Sequence, residues 1–122
     1  MILVYPVITM GEKTDQGTKN SLLGKNPDPK LVELFSNEKQ VTAKTPPAFL
    51  AHAKNDRVVV PDNSKVFYEA LQKQKVPAKY LELPSGGHGL NGYKGPMWDA
   101  WQKQSLAWLA EMKFIPAVVD KK

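Results

Sequence analysis

A short apolar run, AFLAHA at residues 48–53, leads directly into the polar sequence KNDR at residues 54–57. Pro46 and Pro47 precede the run, stop any helix before it and favour extended chain. Continuous apolar runs fit strands that are covered on both faces, as in parallel sheets, better than half-exposed strands. The stretch therefore predicts a buried strand that ends in a polar loop.

Two further strands are predicted, one on each side of this run along the chain. Residues 2–8 (ILVYPVI) are nearly all apolar and rich in β-branched and aromatic side chains. Residues 79–83 (KYLEL) form the other strand, which Pro84 closes. Residues 9–26 are polar and contain three glycines, so they are predicted to be a loop with one short turn at residues 21–23.

Three helices are predicted between and after the strands. The first begins with Asp28 as its N-cap and Pro29 as its first residue, and the second spans about residues 61–75. The third spans about residues 97–113 and carries all three tryptophans on one face, where core packing is favoured over a ligand platform. The faces expected to be buried are Leu31, Leu34 and Phe35; Val66, Phe67, Ala70 and Leu71; and Trp98, Trp101, Ser105, Trp108, Leu109 and Met112.

Strands that alternate with helices imply right-handed crossovers and a parallel sheet. The predicted fold class is therefore α/β, a three-layer αβα arrangement with a mostly parallel sheet of about three strands. A chain of 122 residues can bury one core. We expect a single α/β domain over residues 1–116 and a tail over residues 117–122.

Composition narrows the classes of function. The formal charge of +5 comes from 17 Lys and Arg residues, but the lysines are scattered and Arg57 is the only arginine, so no nucleic-acid partner is expected. No apolar run is long enough for a membrane span, so no membrane partner is expected either. Residues 1–8 lack the features of a signal peptide, which leaves a cytoplasmic or, with an upstream part missing, a secreted or periplasmic location open. The absence of cysteine excludes disulfides, thiolate zinc sites and cysteine nucleophiles.

Two residues whose side chains could take part in acid–base chemistry follow neighbouring predicted strands. In open parallel sheets, sites form in the loops at the carboxyl ends of the strands. Asp56 lies in the loop after the second strand, and His88 lies in the glycine-rich loop GGHG at residues 86–89 after the third. A carboxylate that accepts from imidazole Nδ1 fixes the tautomer and leaves Nε2 as a general base. The pair therefore predicts an acid–base site.

Structural, non-catalytic interpretations of these residues stay open. An Asp just past a strand is commonly a turn or capping residue, and a His between glycines can simply be an exposed loop residue. His52, Asp56 and His88 could supply three metal ligands, but no short ligand motif supports such a site. No metal or other cofactor is predicted.

The sequence also resembles the carboxy-terminal part of an α/β-hydrolase, in the esterase and lipase group that includes acetyl-xylan and feruloyl esterases and is related to dienelactone hydrolase. The segments that carry the resemblance are AFLAHAKNDRVV at residues 48–59, Asn63-Ser64, Phe67-Tyr68, Ala70-Leu71 and GGHG at residues 86–89. The resemblance implies that Asp56 is the acid and His88 the base of a catalytic triad. One departure is that a proline often found four residues after the acid lies one later, at Pro61.

The nucleophile that this resemblance demands is not recognisable in the chain. Such enzymes carry their serine in a G-x-S-x-G turn between a strand and a helix, and none of the five serines has that setting. The resemblance thus implies the carboxy-terminal half of a serine esterase for short-chain or acetylated-carbohydrate esters. It would supply the acid and the base, and it would be inactive alone.

A second interpretation is a non-catalytic, stand-alone α/β interaction domain that retains Asp56 and His88 as remnants. Both interpretations share an expectation about assembly. In the resembled fold the strand at residues 2–8 lies inside the sheet, so here it would present an open edge. We expect a homo-oligomer through the edge at Ile2–Ile8, most simply a two-fold dimer, or pairing with an amino-terminal half.

Overall fold

A parallel sheet of three strands forms the centre of the protein in a computed structural model that describes residues 1–117. The strands are β1 (Ile2–Val4), β2 (Ala48–Ala53) and β3 (Ala78–Leu83), and they lie in the order β1-β2-β3. Both pairings are parallel, and all six residues of β2 are buried. The sheet confirms the predicted α/β class.

Helices cover both faces of this sheet. The side chains of β2 alternate between the two faces, so each face presents apolar groups for a helix to pack on. Leu50 packs with Phe67 and Leu71 on one face, whereas Phe49 packs with Trp108 on the other. The helices are α1 (Gln16–Leu23), α2 (Pro29–Phe35), α3 (Asp62–Lys73) and α5 (Pro96–Glu111), with a 3₁₀ turn at Asn37–Lys39. The segment α4 (Leu90–Tyr93) between α3 and α5 is a single turn whose residues all have positive φ. The three-layer arrangement follows, with α3 and α5 on opposite sides.

The first predicted strand is shorter than its apolar run. The backbone N–H of Tyr5 still donates to the Ala51 carbonyl at 2.8 Å, but Tyr5 has a φ of 40° and Pro6 has no N–H to continue the ladder. The chain therefore leaves the sheet after Val4. Ile8 is nonetheless buried, because it packs under the sheet against α3 rather than in a strand.

A helix also lies where the sequence predicted a loop with a short turn. Asp15 is the N-cap of helix α1, and its carboxylate accepts from the Thr18 N–H at 3.1 Å. None of its residues is buried. Its sequence consequently lacks the apolar periodicity from which a helix is recognised.

Helix α2 starts as predicted but does not bury its apolar face. Asp28 accepts from the Lys30 N–H at 2.8 Å, and Pro29 occupies the first turn. Three apolar side chains form this face, and all are exposed: Leu31 by 41%, Leu34 by 56% and Phe35 by 40%. The predicted burial is wrong, because no element within residues 1–117 covers this face.

Helices in the described part of the chain are too short or too polar to cross a lipid bilayer. The domain boundary expected after residue 116 stays a prediction, because residues 118–122 of the expected tail lie outside the described residues.

Candidate active site

The loops that follow β2 and β3 emerge side by side at the carboxyl end of the sheet. The strands end level, since Ala53 lies opposite Leu83 in the parallel register. Two hydrogen bonds then join the loops: the Lys54 N–H donates to the Leu83 carbonyl at 2.7 Å, and the Gly87 N–H donates to Asn55 Oδ1 at 3.0 Å. Residues far apart in sequence are thereby brought together at one edge.

Asp56 is held from both ends of its carboxylate and is only 2% exposed. Its Oδ1 accepts from the backbone N–H groups of Val58 and Val59, each at 2.9 Å. Its Oδ2 lies 2.9 Å from Nδ1 of His88. The structure thus brings together the two residues that the sequence singled out. Asp56 is also a turn residue, as the simpler interpretation of the sequence has it. The two roles are compatible, because Oδ1 accepts from the turn and Oδ2 faces His88.

The contact with Asp56 sets which nitrogen of His88 carries the hydrogen. A carboxylate oxygen can only accept, so the His88 Nδ1–H donates and the neutral ring has its lone pair at Nε2. The side chain is 34% exposed, and no group within residues 1–117 forms a hydrogen bond with Nε2. His88 therefore presents a basic nitrogen at the protein surface.

Glycines shape the loop that carries His88. Gly86, Gly87 and Gly89 have φ values of 110°, 59° and 87°, which favour glycine. A Cβ at Gly86 would lie 3.2 Å from the Leu90 Cα, closer than the backbone readily tolerates. The following turn keeps positive φ at the non-glycine residues Leu90, Asn91 and Tyr93. Such strained backbone is concentrated at functional sites.

Tyr5 lies against the base, a contact that the sequence did not predict. Its ring centroid is 4.5 Å from that of His88, with the planes tilted by 57°. Burial, the neighbouring Tyr93 and the charge of Asp56 raise the pKa of the Tyr5 phenol, which therefore stays neutral beside the carboxylate. Only its position just after β1, at the same end of the sheet as the two loops, could have indicated this contact.

A second imidazole lies behind Asp56. His52 is fully buried on β2, with Nε2 at 2.7 Å from the Val59 carbonyl and 3.3 Å from Asp56 Oδ2. Its Nδ1 lies 2.7 Å from the hydroxyl of Ser64 on α3. Burial lowers the pKa of His52, despite the hydrogen bond to Val59 and the nearby carboxylate, which act in the opposite direction.

These contacts bear on the metal site that the sequence left open. His52, Asp56 and His88 do meet, but each histidine turns a protonated nitrogen towards the carboxylate. A protonated nitrogen has no lone pair to offer a metal ion. No group of three or more His, Asp or Glu side chains able to hold a metal ion occurs among the residues described.

No serine completes a triad within the described residues. Ser64 bonds to His52, Ser36 accepts from Met10 N–H, and Ser105 donates to a carbonyl of its own helix. None of the hydrogen bonds within residues 1–117 joins a serine hydroxyl to His88. The site as described contains an oriented base and its carboxylate partner.

Comparison with known proteins shows the family of the chain. The sequence model of the prolyl oligopeptidase family matches residues 4–113. Endo-1,4-beta-xylanase B of Butyrivibrio fibrisolvens is 40% identical over 101 residues, which are 83% of this chain and 16% of that protein.

Solved structures show the same likeness. The acetyl ester-xyloside bifunctional hydrolase from Caldicellulosiruptor lactoaceticus has a TM-score of 0.89 and 40% identity, over 93% of this chain and 42% of that one. The carboxylesterase Cest-2923 from Lactobacillus plantarum has a TM-score of 0.77 and 26% identity, over 96% of this chain and 46% of that one. The chain thus spans less than half the length of these relatives. With its partial α/β-hydrolase fold and a profile match over nearly its whole length, the chain belongs to the prolyl oligopeptidase family.

Proposed function

We propose that this chain supplies the acid and the base of a serine-dependent carboxylic ester hydrolase. The observation that carries the proposal is the 2.9 Å contact between Asp56 Oδ2 and His88 Nδ1, with Nε2 left open at the surface. The nucleophilic serine and the oxyanion donors would come from residues outside this sequence. Relatives with solved structures that are named hydrolases and carboxylesterases support the reaction class.

The roles of the two residues follow from the placement of the protons. The His88 Nε2 takes the proton of the serine hydroxyl as that oxygen attacks the ester carbonyl, and it returns the proton to the departing alkoxide. This first step leaves the acyl group on the serine oxygen; water then gives a proton to Nε2 as it attacks the acyl carbonyl, and Nε2 passes that proton to the serine oxygen as the acid is released. Asp56 keeps His88 in the Nδ1–H tautomer and stabilises the imidazolium that forms in both steps.

Short-chain esters, including acetylated carbohydrates, are the substrate class that we propose. The support is the wording of two relatives' names, one an acetyl ester-xyloside hydrolase and the other a xylanase. A peptide bond is the second candidate, because the family is named for prolyl oligopeptidases. Both reactions would use the same base and the same carboxylate.

A chimera tests the proposal. This chain would replace the matched 42% of the Caldicellulosiruptor lactoaceticus hydrolase, whose backbone it follows with a TM-score of 0.89. We expect a folded protein that hydrolyses p-nitrophenyl acetate and that loses this activity with His88→Ala. A folded chimera without esterase activity contradicts the proposal. Cleavage of a prolyl p-nitroanilide in place of the ester would favour the peptidase.

The isolated chain provides the matching control. We expect it to hydrolyse p-nitrophenyl acetate no faster than free imidazole, since an oriented base without a nucleophile loses most of the advantage of the triad. A saturable rate that a serine-directed inhibitor abolishes would contradict this expectation.

A further inference from the structure

The buried histidine behind the carboxylate has a geometry that the proposed mechanism does not use. We infer that His52 is a positioning residue, which holds Asp56 in the orientation that receives the His88 Nδ1–H. The inference rests on the proposed function only for its catalytic meaning, because the contacts that carry it involve Asp56 directly.

The location of the His52 proton is fixed by its partners. The Val59 carbonyl 2.7 Å from Nε2 can only accept, so Nε2 carries the hydrogen. The neutral ring then has its lone pair at Nδ1, where the Ser64 hydroxyl donates at 2.7 Å. Because burial lowers the pKa of His52, the ring is neutral near pH 7 and keeps this tautomer.

The protonated Nε2 acts on Asp56 in two ways. It lies 3.3 Å from Oδ2, a longer polar contact than its 2.7 Å hydrogen bond to the Val59 carbonyl, so the N–H groups of two imidazoles approach this oxygen. It also holds the carbonyl of Val59, whose own N–H donates to Oδ1 at 2.9 Å. His52 thereby fixes one oxygen of the carboxylate and the peptide that holds the other.

The opposite tautomer would undo both contacts. A lone pair at Nε2 would face the Val59 carbonyl and Asp56 Oδ2, which are both electron-rich, and the contacts would become repulsive. The carboxylate is wholly buried, so water could not replace a lost donor without opening the loop. A neutral, correctly protonated His52 is thus needed for Asp56 to be fully paired.

Nuclear magnetic resonance of the 122-residue chain tests this inference directly, because His52 and His88 are its only two histidines. Ring nitrogens labelled with ¹⁵N report which nitrogen carries the hydrogen. At pH 7 we expect opposite tautomers, with Nε2–H for His52 and Nδ1–H for His88. A His52 that is cationic or carries its hydrogen on Nδ1 would overturn the inference.

Variants separate positioning from packing. His52→Leu fills the space without a donor, and we expect the downfield Nδ1–H signal of His88 to broaden or disappear in the folded chain. His52→Gln can place an N–H close to the position of Nε2, and it should restore the signal. Ser105→Ala removes a buried hydroxyl on α5 that bonds only to its own helix and not to this network, and it serves as the control, with an unchanged His88 spectrum.

The outcomes distinguish this inference from the proposed function. If Asp56→Asn leaves the His88 signals unchanged, the Asp56–His88 pair itself is wrong and the inference falls with it. If Asp56→Asn changes them but a folded His52→Leu variant does not, the pair stands and His52 is only a packing residue. Should His52→Leu unfold the chain, the wild-type tautomers decide alone.

Discussion

At the scale of single residues, the Asp56 carboxylate accepts hydrogen bonds both from the backbone of its own turn and from the ring of His88. Asp56→Asn keeps the size of the side chain but replaces one acceptor oxygen by an amide that can also donate. We expect the His88 ring to lose its preference for the Nδ1–H tautomer, since the group facing it no longer only accepts. The ¹⁵N ring spectrum measures this loss.

The same substitution has a kinetic consequence in the chimera. An asparagine that stabilises the wrong tautomer lowers kcat by roughly 10⁴-fold in a serine triad. Asp62→Asn, at the start of α3, removes a carboxylate that is outside the hydrogen bonds of the site and should leave kcat unchanged. An Asp56→Asn chimera with nearly full kcat would show that this carboxylate does not orient the base.

His52 makes the stability of the chain depend on pH. Burial lowers its folded pKa below the ordinary value of 6.5, so the unfolded chain binds the extra proton first as the pH falls. Stability from this residue is therefore complete above about pH 6.5 and is lost below it, by at most about 1.4 kcal/mol per pH unit.

Urea unfolding between pH 8 and pH 5 measures this dependence. His52→Gln removes the titrating group, while Asp56 and His88 stay in both proteins. The free energy of unfolding of the variant should fall less steeply below pH 6.5 than that of the wild type. Parallel curves for the two proteins would contradict the expectation.

At the scale of secondary structure, one asparagine ties the chain leaving β1 to helix α3. Asn63 is fully buried, and its Oδ1 accepts from the N–H groups of Ile8 and Thr9 at 2.9 and 3.1 Å. Its Nδ2 donates to the carbonyls of Lys13 and Val60. The amide is fully satisfied and organises a loop that has no regular hydrogen bonding of its own.

Asn63→Ala should therefore be costly. It leaves buried backbone groups without partners, at about 1–3 kcal/mol for each unsatisfied group that water cannot reach. Asn20→Ala, on the exposed face of α1, deletes the same amide from a single exposed hydrogen bond and should change stability by less than about 0.5 kcal/mol. Chemical denaturation compares the two, and equal losses would show that Asn63 is dispensable.

The elements that sequence could predict are those whose patterns reflect packing within this chain. Strand β2 and helix α3 bury residues against each other, so their periodicity matches their structure. The positions of Asp56 and His88 followed from the strands, because neighbouring parallel strands end at one edge. The contact of Tyr5 with His88 did not, since the turn that places Tyr5 has a positive φ that no local motif encodes.

Other errors share a different physical cause. Helix α1 buries none of its residues, and its start depends on the Asp15 cap. Helix α2 has an apolar stripe, yet that stripe is exposed. A pattern shows that a face is suited to burial, but it cannot show whether the covering surface belongs to the same chain.

At the scale of the whole molecule, apolar surface gathers around β1. A cavity of about 400 Å³ opens there, lined by Met1, Leu3, Pro6, Val7, Ile8, Asn37, Gln40, Val41, Thr45, Pro46 and Phe67. Most of this lining is apolar. Large apolar surfaces of this kind commonly mark association.

The edge of β1 adds unpaired backbone groups to this surface. The Met1 carbonyl and the Tyr5 N–H bond to β2, so the alternation of the strand turns the N–H and C=O of Ile2 and Val4 outwards. Ile2, Leu3 and Val4 carry no charge that would discourage pairing with another strand. The edge can therefore accept a strand from an amino-terminal half or from a second copy of this chain.

We accordingly predict that the chain alone self-associates, with two β1 edges pairing about a two-fold axis, because such an interface covers itself and closes the assembly. Light scattering at micromolar concentration should give about twice the monomer mass of 13.6 kDa.

Ile2→Pro deletes one outward N–H at the first residue of a strand, where proline is tolerated, and it should shift the mass towards the monomer. Leu106→Ser changes a half-exposed side chain on α5 without altering the backbone edge of β1, so it is the control and should leave the mass unchanged. A stable mass of 13.6 kDa for the wild-type chain would contradict the prediction, and it would mean that the edge of β1 is protected without a partner.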